Sequence, residues 1–268
     1  MTLCFSKYQA AGNDFILLDD RSSRFPVENR SVIQKLCSRQ FGIGADGLIL
    51  LQSSSCADFR MRICNADGSE AAFCGNGFRC LILYLKHLGF KEDSFSIETQ
   101  SSVISSSFQR GKVLVKLPSP KVLSWGVRVE GDLDSYEFFV VDTGVPHAVI
   151  FVEDLEAVFV DKVGKQIRFH PFWSPSGVNV NFIKVMPDGA VRIRTYERGV
   201  EGETLSCGTG AAAAAFVVSK KRESVSALRV IPKSGECLEF SFQDGSLDKE
   251  IHMTGPASLV FEGRFEQI

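Results

Sequence analysis

Two cysteines stand in turns suited to proton chemistry. Phe73-Cys74-Gly75-Asn76-Gly77 and Ser206-Cys207-Gly208-Thr209-Gly210 share a Cys-Gly-x-Gly core, and each opens an apolar stretch of helical character. A thiol at the mouth of a buried helix meets backbone N–H groups that lack an intrahelical acceptor, together with the positive end of the helix dipole. Both lower its pKa from ~8.5 toward neutrality. The same N–H groups suit a carboxylate, and the glycines let a ligand approach the backbone closely. One such turn is equally well explained by packing, because free cysteine is among the most buried residue types. Two of them half a chain apart point to stereoinversion. If the halves face each other, one thiolate removes an α-hydrogen from one face and the other thiol returns a proton to the opposite face. The helix N–H groups then take up the charge pushed into the carboxylate. This chemistry needs no cofactor.

The elements that must position these thiols repeat along the chain. Met61-Arg62-Ile63-Cys64-Asn65 precedes the first turn and Val191 to Glu197 precedes the second, both alternating as strands do. Further upstream, Ala11-Gly12-Asn13-Asp14-Phe15 matches Thr143-Gly144-Val145-Pro146-His147 at an offset that differs by one residue. The extra residue is placed in 199–204. Leu117-Pro118-Ser119-Pro120 continues neither a helix nor an inner strand, so the half boundary falls there. Apolar helices are expected over 77–88 and 208–220, each apolar nearly all round and therefore buried. An amphipathic helix is expected over 27–41, with Ser31 or Asn29 as its cap. The Ser-rich patch at 101–107 reads as a strand and its turn, and 224–268 as short strands divided by glycine.

The 268 residues suffice for one large domain or two modest ones. The N-terminus has neither a basic region followed by an apolar core nor an Arg-rich amphipathic pattern, and the longest apolar runs, 47–51 and 211–218, fall far short of a membrane span. A cytoplasmic protein without membrane partners is the expectation. Thirty Lys+Arg balance 32 Asp+Glu at a net charge of −2, so the field that holds nucleic acid is missing. Eight cysteines form no Cys-x-x-Cys pair and the four histidines are scattered, so no metal is expected. Cys4, Cys37, Cys56, Cys64, Cys80 and Cys237 are assigned to packing.

Lys7-x4-Gly12-Asn13-Asp14-Phe15, Gly42-Ile43-Gly44-Ala45-Asp46-Gly47, Asn65-Ala66-Asp67-Gly68-Ser69-Glu70 and the Cys74 turn occur in order. Pro146-His147, Asn179-Val180-Asn181-Phe182, Glu197-Arg198-Gly199, Gly202-Glu203-Thr204 and the Cys207 turn continue the series. The chain thereby resembles the diaminopimelate epimerase family through both halves. The resemblance implies a pyridoxal-independent epimerase that interconverts LL- and meso-2,6-diaminopimelate on the way to lysine and peptidoglycan. Its only expected partners are that amino-acid substrate and, at most, a second copy in a homodimer. It implies an α/β (α+β) fold of two pseudo-symmetric halves, each a mixed, mostly antiparallel sheet or barrel wrapped around a buried central helix, with the active site in the cleft between them. Residues 1–118 and 119–256 would be the halves, and 257–268 a final strand returning to the first. By resemblance Cys74 and Cys207 are the acid/base pair, and Gly75, Asn76, Gly208 and Thr209 hold the reacting carboxylate with help from Asn13. Asn65, Asn179, Glu197 and Arg198 grip the substrate, Arg198 as a fork for a carboxylate and Glu197 for an ammonium. His147 and Glu197 would support the thiols.

Three features depart from the family pattern. Val145 stands where Asn is usual, Gly47 where some members have Gln, and the segment near Glu201 is one residue longer. Losing a buried amide partner costs about 1–3 kcal/mol of selectivity, so specificity relaxed toward another amino acid such as glutamate is the alternative expectation. Thiols meeting in one cleft would also make activity depend on a reductant. Two rival readings carry less of the sequence. Residues 42–47 fit a dinucleotide fingerprint literally, but they follow a helix and open a strand, the reverse of a pyrophosphate site. The 208–213 segment does open a helix, yet the strand expected at 225–231 ends in Pro232-Lys233 without a ribose-binding acid. An acyl-transfer pair of Cys207 with His147 would leave Cys74 unexplained.

Overall fold

The computed structural model describes residues 2–109, 111–129, 133, 135–223 and 227–266. The chain divides into two units, Met1–Val115 with Gly255–Ile268, and Lys116–Thr254.

The first unit starts with the antiparallel pair β1 (Leu3–Ala10) and β2 (Asn13–Asp19). Helix α1 (Arg30–Cys37) then crosses to β3 (Gly47–Gln52), which lies parallel to β2. Strand β4 (Phe59–Asn65) pairs antiparallel with β3 and with the short β5 (Glu70–Ala71). Helix α2 (Gly75–His87) follows, then β6 (Ser94–Glu98), parallel to β4, and the antiparallel β7 (Val103–Gln109) and β8 (Lys112–Leu117).

The second unit repeats this order. Strand β9 (Lys121–Val127) pairs with β10 (Phe138–Asp142), and β10 with β11 (Pro146–Phe151), all antiparallel. Helix α3 (Val160–Arg168) crosses to β12 (Asn179–Val185), parallel to β11. Strands β13 (Val191–Glu197) and β14 (Gly202–Thr204), helix α4 (Gly208–Lys221) and strands β15 (Leu228–Ile231), β16 (Leu238–Phe242) and β17 (Ile251–Gly255) match their counterparts pair for pair. The last strand, β18 (Ser258–Phe265), belongs to the first unit and pairs antiparallel with β1, as β9 does with β10.

Period-two alternation explains how one strand serves two helices. In β2 and β3, Ile16, Leu18, Leu48 and Leu50 pack with Ile33 and Leu36 of α1. Ile49, on the opposite face, comes up against Gly77 of α2. Covered on both sides, β3 is apolar along nearly its whole length, as such strands are. In the second unit Ala148, Ile150, Val180 and Phe182 pack with Val160 and Ile167 of α3. His147 and Asn181, which alternate with them along the strands, lie on the α4 side against Gly210. Helices α2 and α4 are buried over most of their length.

Two local expectations are corrected and a third is met in part. The amphipathic helix expected over 27–41 spans only Arg30–Cys37, because the chain turns at Ser38 and folds back over the helix end. There Ile43 and Gly44 N–H donate to Leu36 O, and Ala45 N–H to Cys37 O, capping the last carbonyls. Gly44 adopts φ +79°, which suits glycine. Asn29 holds the N-cap position but its side chain makes no capping bond; it accepts from Ser31 Oγ at 2.7 Å. Helix α3 was not expected, although Val160, Val163 and Ile167 hold helical spacing. Gly164 in its middle masks the pattern, and that glycine is where the helix meets Tyr196: a Cβ there would stand 2.5 Å from the tyrosine Cβ. Of the strand expected at 225–231, 228–231 are observed as β15, while Ser224, Val225 and Ser226 lie outside the described residues.

Candidate active site

Each unit starts its buried helix on an extended cysteine. Cys74 (φ −144°, ψ 116°) is the N-cap of α2 and Cys207 (φ −123°, ψ 110°) that of α4. The first intrahelical bonds run from Phe78 N–H to Cys74 O and from Ala211 N–H to Cys207 O. The N–H groups of Gly208, Thr209 and Gly210 therefore have no acceptor within α4, and they sit at its positive end. Neither cysteine side chain caps its helix.

In the first unit, Cys74 Sγ donates to Asn13 Oδ1 at 3.7 Å, and Asn76 Nδ2 donates to the same oxygen at 3.4 Å. Asn13 is aimed from behind, since its Nδ2 donates to Asp46 Oδ2 at 2.8 Å. Asp46 and Asp14 share Arg39, whose guanidinium lies 2.8 Å from each carboxylate, and Lys7 Nζ is 2.8 Å from Asp14. Lys7 also donates to Gly44 O. Burial alone would raise the Asp14 carboxyl, but its bonds to Arg39 and Lys7 hold it well below the usual carboxylate range. Asn76 is held by the buried Arg79, whose Nη2 donates to its Oδ1 at 2.9 Å. Asn65 pairs across β4 with Gly47, which is paired in turn with Phe15; its side chain donates to Ser69 Oγ at 3.0 Å.

In the second unit the network lies beneath the helix mouth. Thr209 Oγ1 is 3.5 Å from Cys207 Sγ and 3.0 Å from His147 Nε2. His147 Nδ1 faces Asn181 Nδ2 at 3.2 Å. Asn181 Nδ2 also donates to Ala148 O at 3.1 Å, and its Oδ1 accepts from Thr195 Oγ1 at 3.0 Å. Asn179 pairs with His147 in register; it donates to Pro146 O at 3.1 Å and accepts from Arg198 N–H at 2.8 Å. Glu197 accepts from Thr204 Oγ1 at 2.9 Å, and Arg198 Nη1 donates to Ser176 O at 3.3 Å.

Of the residues selected from sequence, Cys74, Asn13 and Asn76 thus meet in one unit, and Cys207, Thr209 and His147 in the other. Asn179, Glu197 and Arg198 lie on the strand ends beside the second group. Sequence reasoning passed over Asp46 and Arg39 behind Asn13, and Asn181 and Thr195 behind His147. Asn181 was legible: two residues after Asn179 on a strand, it must share that residue's face.

The remaining thiols differ in exposure. Cys37, Cys64 and Cys80 are buried, as packing residues are, whereas Cys4 and Cys56 are exposed, so the packing assignment fails for those two. Burial pushes Cys37 up to about 12 and Cys64 up to about 11, which leaves both as inert thiols.

His147 is completely buried, and desolvation, followed by the charge of Arg198, pushes it down to about 3. It is neutral throughout the working range. An unfolded chain binds this proton near ~6.5, so the buried neutral ring costs nothing above that pH and destabilises the fold progressively as pH falls toward 3. Urea unfolding of the wild type should therefore show stability falling between pH 6.5 and 4, this ring contributing up to about 1.4 kcal/mol per unit. His147→Gln should show a shallower fall, and an unchanged slope would contradict the assignment.

Comparison with known proteins gives a consistent result. The profile described as Diaminopimelate epimerase matches residues 5–121 and 139–260. The diaminopimelate epimerase of Aquifex aeolicus is 39% identical over 280 residues, covering 98% of both chains. That of Flavobacterium psychrophilum is 39% identical over 257 residues, covering 96% of this chain and 97% of the relative. Among solved structures, a PhzF-family phenazine biosynthesis protein from Enterococcus faecalis superposes at TM-score 0.78 with 14% identity over 100% of both chains. A hydroxyproline epimerase from Agrobacterium vitis superposes at 0.70 with 17% identity, over 98% of this chain and 92% of that one. At those identities the structural likenesses speak for the fold alone.

Proposed function

The chain belongs to the diaminopimelate epimerase family, and from that premise we propose that it inverts an α-carbon of 2,6-diaminopimelate, LL to meso, with Cys74 and Cys207 as its two proton-transfer groups. The observation that carries the reading is the repetition of one device: in each unit an extended cysteine opens a buried helix. Stereoinversion requires the proton to leave one face of the α-carbon and another to arrive at the opposite face. One thiolate takes the α-hydrogen as a proton and becomes a thiol. The carbanion's electron pair spreads into the carboxylate, and the second thiol then protonates the carbon and becomes a thiolate. The enzyme ends with its proton on the other sulfur, and a reverse turnover restores the first state.

The helix-mouth N–H groups of Gly75, Asn76, Gly208 and Thr209 are suited to the growing charge on that carboxylate, because they are oriented before the reaction starts. Asn13, Asn65, Asn179, Glu197 and Arg198 supply amide, carboxylate and guanidinium partners for the two zwitterionic ends of the substrate. None of the eight cysteines is joined in a disulfide. A cytoplasmic location, where thiols stay reduced, accords with that state.

Proton NMR of LL-diaminopimelate in D2O, with reduced protein and no added cofactor, tests the reading. Loss of the α-proton signal with appearance of the meso isomer is expected; no exchange and no meso product would overturn it. The same spectra on a panel of amino acids address specificity. Val145 puts an apolar side chain where the usual Asn would offer an amide, so slower α-proton exchange on glutamate is expected as well. Exchange confined to diaminopimelate would show that the site compensates for the change.

A further inference from the structure

Asn181 is fully buried on the α4 side of β12, and its neighbours decide which way its amide points. The carbonyl of Ala148, 3.1 Å from Nδ2, can only accept. The other edge of the amide, Oδ1, takes the hydroxyl of Thr195 at 3.0 Å. A flipped amide would set two carbonyl oxygens against each other. With one N–H on Ala148, the second is directed at His147 Nδ1, 3.2 Å away. That nitrogen must accept, so the neutral ring carries its proton on Nε2. Nε2–H then donates to Thr209 Oγ1 at 3.0 Å. Already accepting from the ring, the Thr209 hydroxyl is free to direct its own hydrogen at Cys207 Sγ, 3.5 Å away.

We propose that Asn181, oriented by Ala148 O and Thr195, is a positioning residue that holds His147 as the Nε2–H tautomer and thereby aims the Thr209 hydroxyl at Cys207, favouring its thiolate. No proton moves along this chain of bonds. Each donor only turns the next, and the proton lost by Cys207 goes to solvent or to the substrate carbon. The inference rests on the reading of Cys207 as an acid/base group, but its tests need no turnover. The titratable groups on the neighbouring elements include His147 on β11, Asp142 at the end of β10, Glu197 and Arg198 at the end of β13, and Glu203 on β14, which is paired with Arg194 and Lys233; the alkylation variants leave all of them in place.

The tautomer can be observed directly in the full-length reduced protein labelled with 15N-histidine, by long-range 15N–1H correlation. The chain has four histidines, and the signal missing from His147→Gln assigns the ring. A single Nε2–H tautomer is expected; an Nδ1–H tautomer, or an average of the two, would overturn the proposal without any change at Asn181. The consequence for the thiol is read from the pH dependence of iodoacetamide alkylation, followed separately on the Cys207 and Cys74 peptides by mass spectrometry. In Asn181→Ala and Thr209→Val the Cys207 midpoint should rise by about one pH unit, a roughly tenfold loss of thiolate below it. Thr209→Ser should keep the wild-type midpoint, and Cys74 should not move in any variant. An unmoved Cys207 midpoint, or an equal drift of both thiols, counts against the relay. Wild-type protein with the expected tautomer and midpoints but no exchange on any amino acid would overturn the proposed function instead.

Discussion

Cys74→Ala and Cys207→Ala are each expected to lower kcat/KM for diaminopimelate epimerisation by about 10²–10⁴-fold, the range over which a positioned acid or base acts. Neither loss should come from unfolding. Each thiol lies at a helix N-cap without capping that helix through its side chain, so truncation removes no cap. The two variants should also fail differently. An enzyme left with one thiolate can still remove a proton and return a deuteron to the same face. Each variant should therefore wash deuterium slowly into the one isomer its remaining thiolate can reach, without inverting it. Following α-proton loss and isomer ratio separately, from LL- and from meso-diaminopimelate, gives the assignment of each thiol. Undiminished inversion in either variant would remove that cysteine from the mechanism.

Gly210→Ala should damage both stability and rate. A Cβ at Gly210 would lie 2.3 Å from Asn181 Oδ1 and 3.4 Å from His147 Cε1. The end of a flexible side chain could swing clear, but Asn181 is buried and tied to Ala148, Thr195 and His147. The helix must move, or the amide must break its bonds. Overpacking of this kind costs about 1–3 kcal/mol, and a displacement near 1 Å at the Cys207 mouth is worth as much as ~10²-fold in rate. Gly77→Ala in α2 is the internal control. There the methyl would meet the terminal carbons of Ile49, Ile63 and Met61 at 2.8–3.4 Å, apolar ends that can rotate. Thermal unfolding and kcat/KM measured on both variants should show the larger loss of each at Gly210. Equal losses would mean that the pinned amide has no special part in the position of α4.

The contrast between these two glycines marks where the repeat stops being symmetric. The topology is duplicated strand for strand, although polar and apolar residues alternate in Asn179-Val180-Asn181-Phe182 whereas Phe15-Ile16-Leu17-Leu18 is apolar throughout. Beneath α2 the strands present Phe15, Gly47 and Ile49; beneath α4 the equivalent positions are His147, Asn179 and Asn181. One helix mouth therefore takes its polar partners from a turn, through Asn13, Asp46 and Arg39. The other takes them from the sheet itself.

By itself the sequence determined the duplication, the two cysteine turns and the apolar helices behind them. These depend on local residue types and on spacing along the chain, and a period of two or of 3.6 residues needs no knowledge of neighbours in space. Only the tertiary structure decided where α1 ends, because its last carbonyls are satisfied by residues that fold back from 43–45. It also decided that Arg39 and Asp46 stand behind Asn13 and that Thr195 turns Asn181 toward His147. Those contacts join residues far apart in the chain, and a hydrogen bond between them depends on strand register and on how closely a helix lies over a sheet, which pattern alone does not encode.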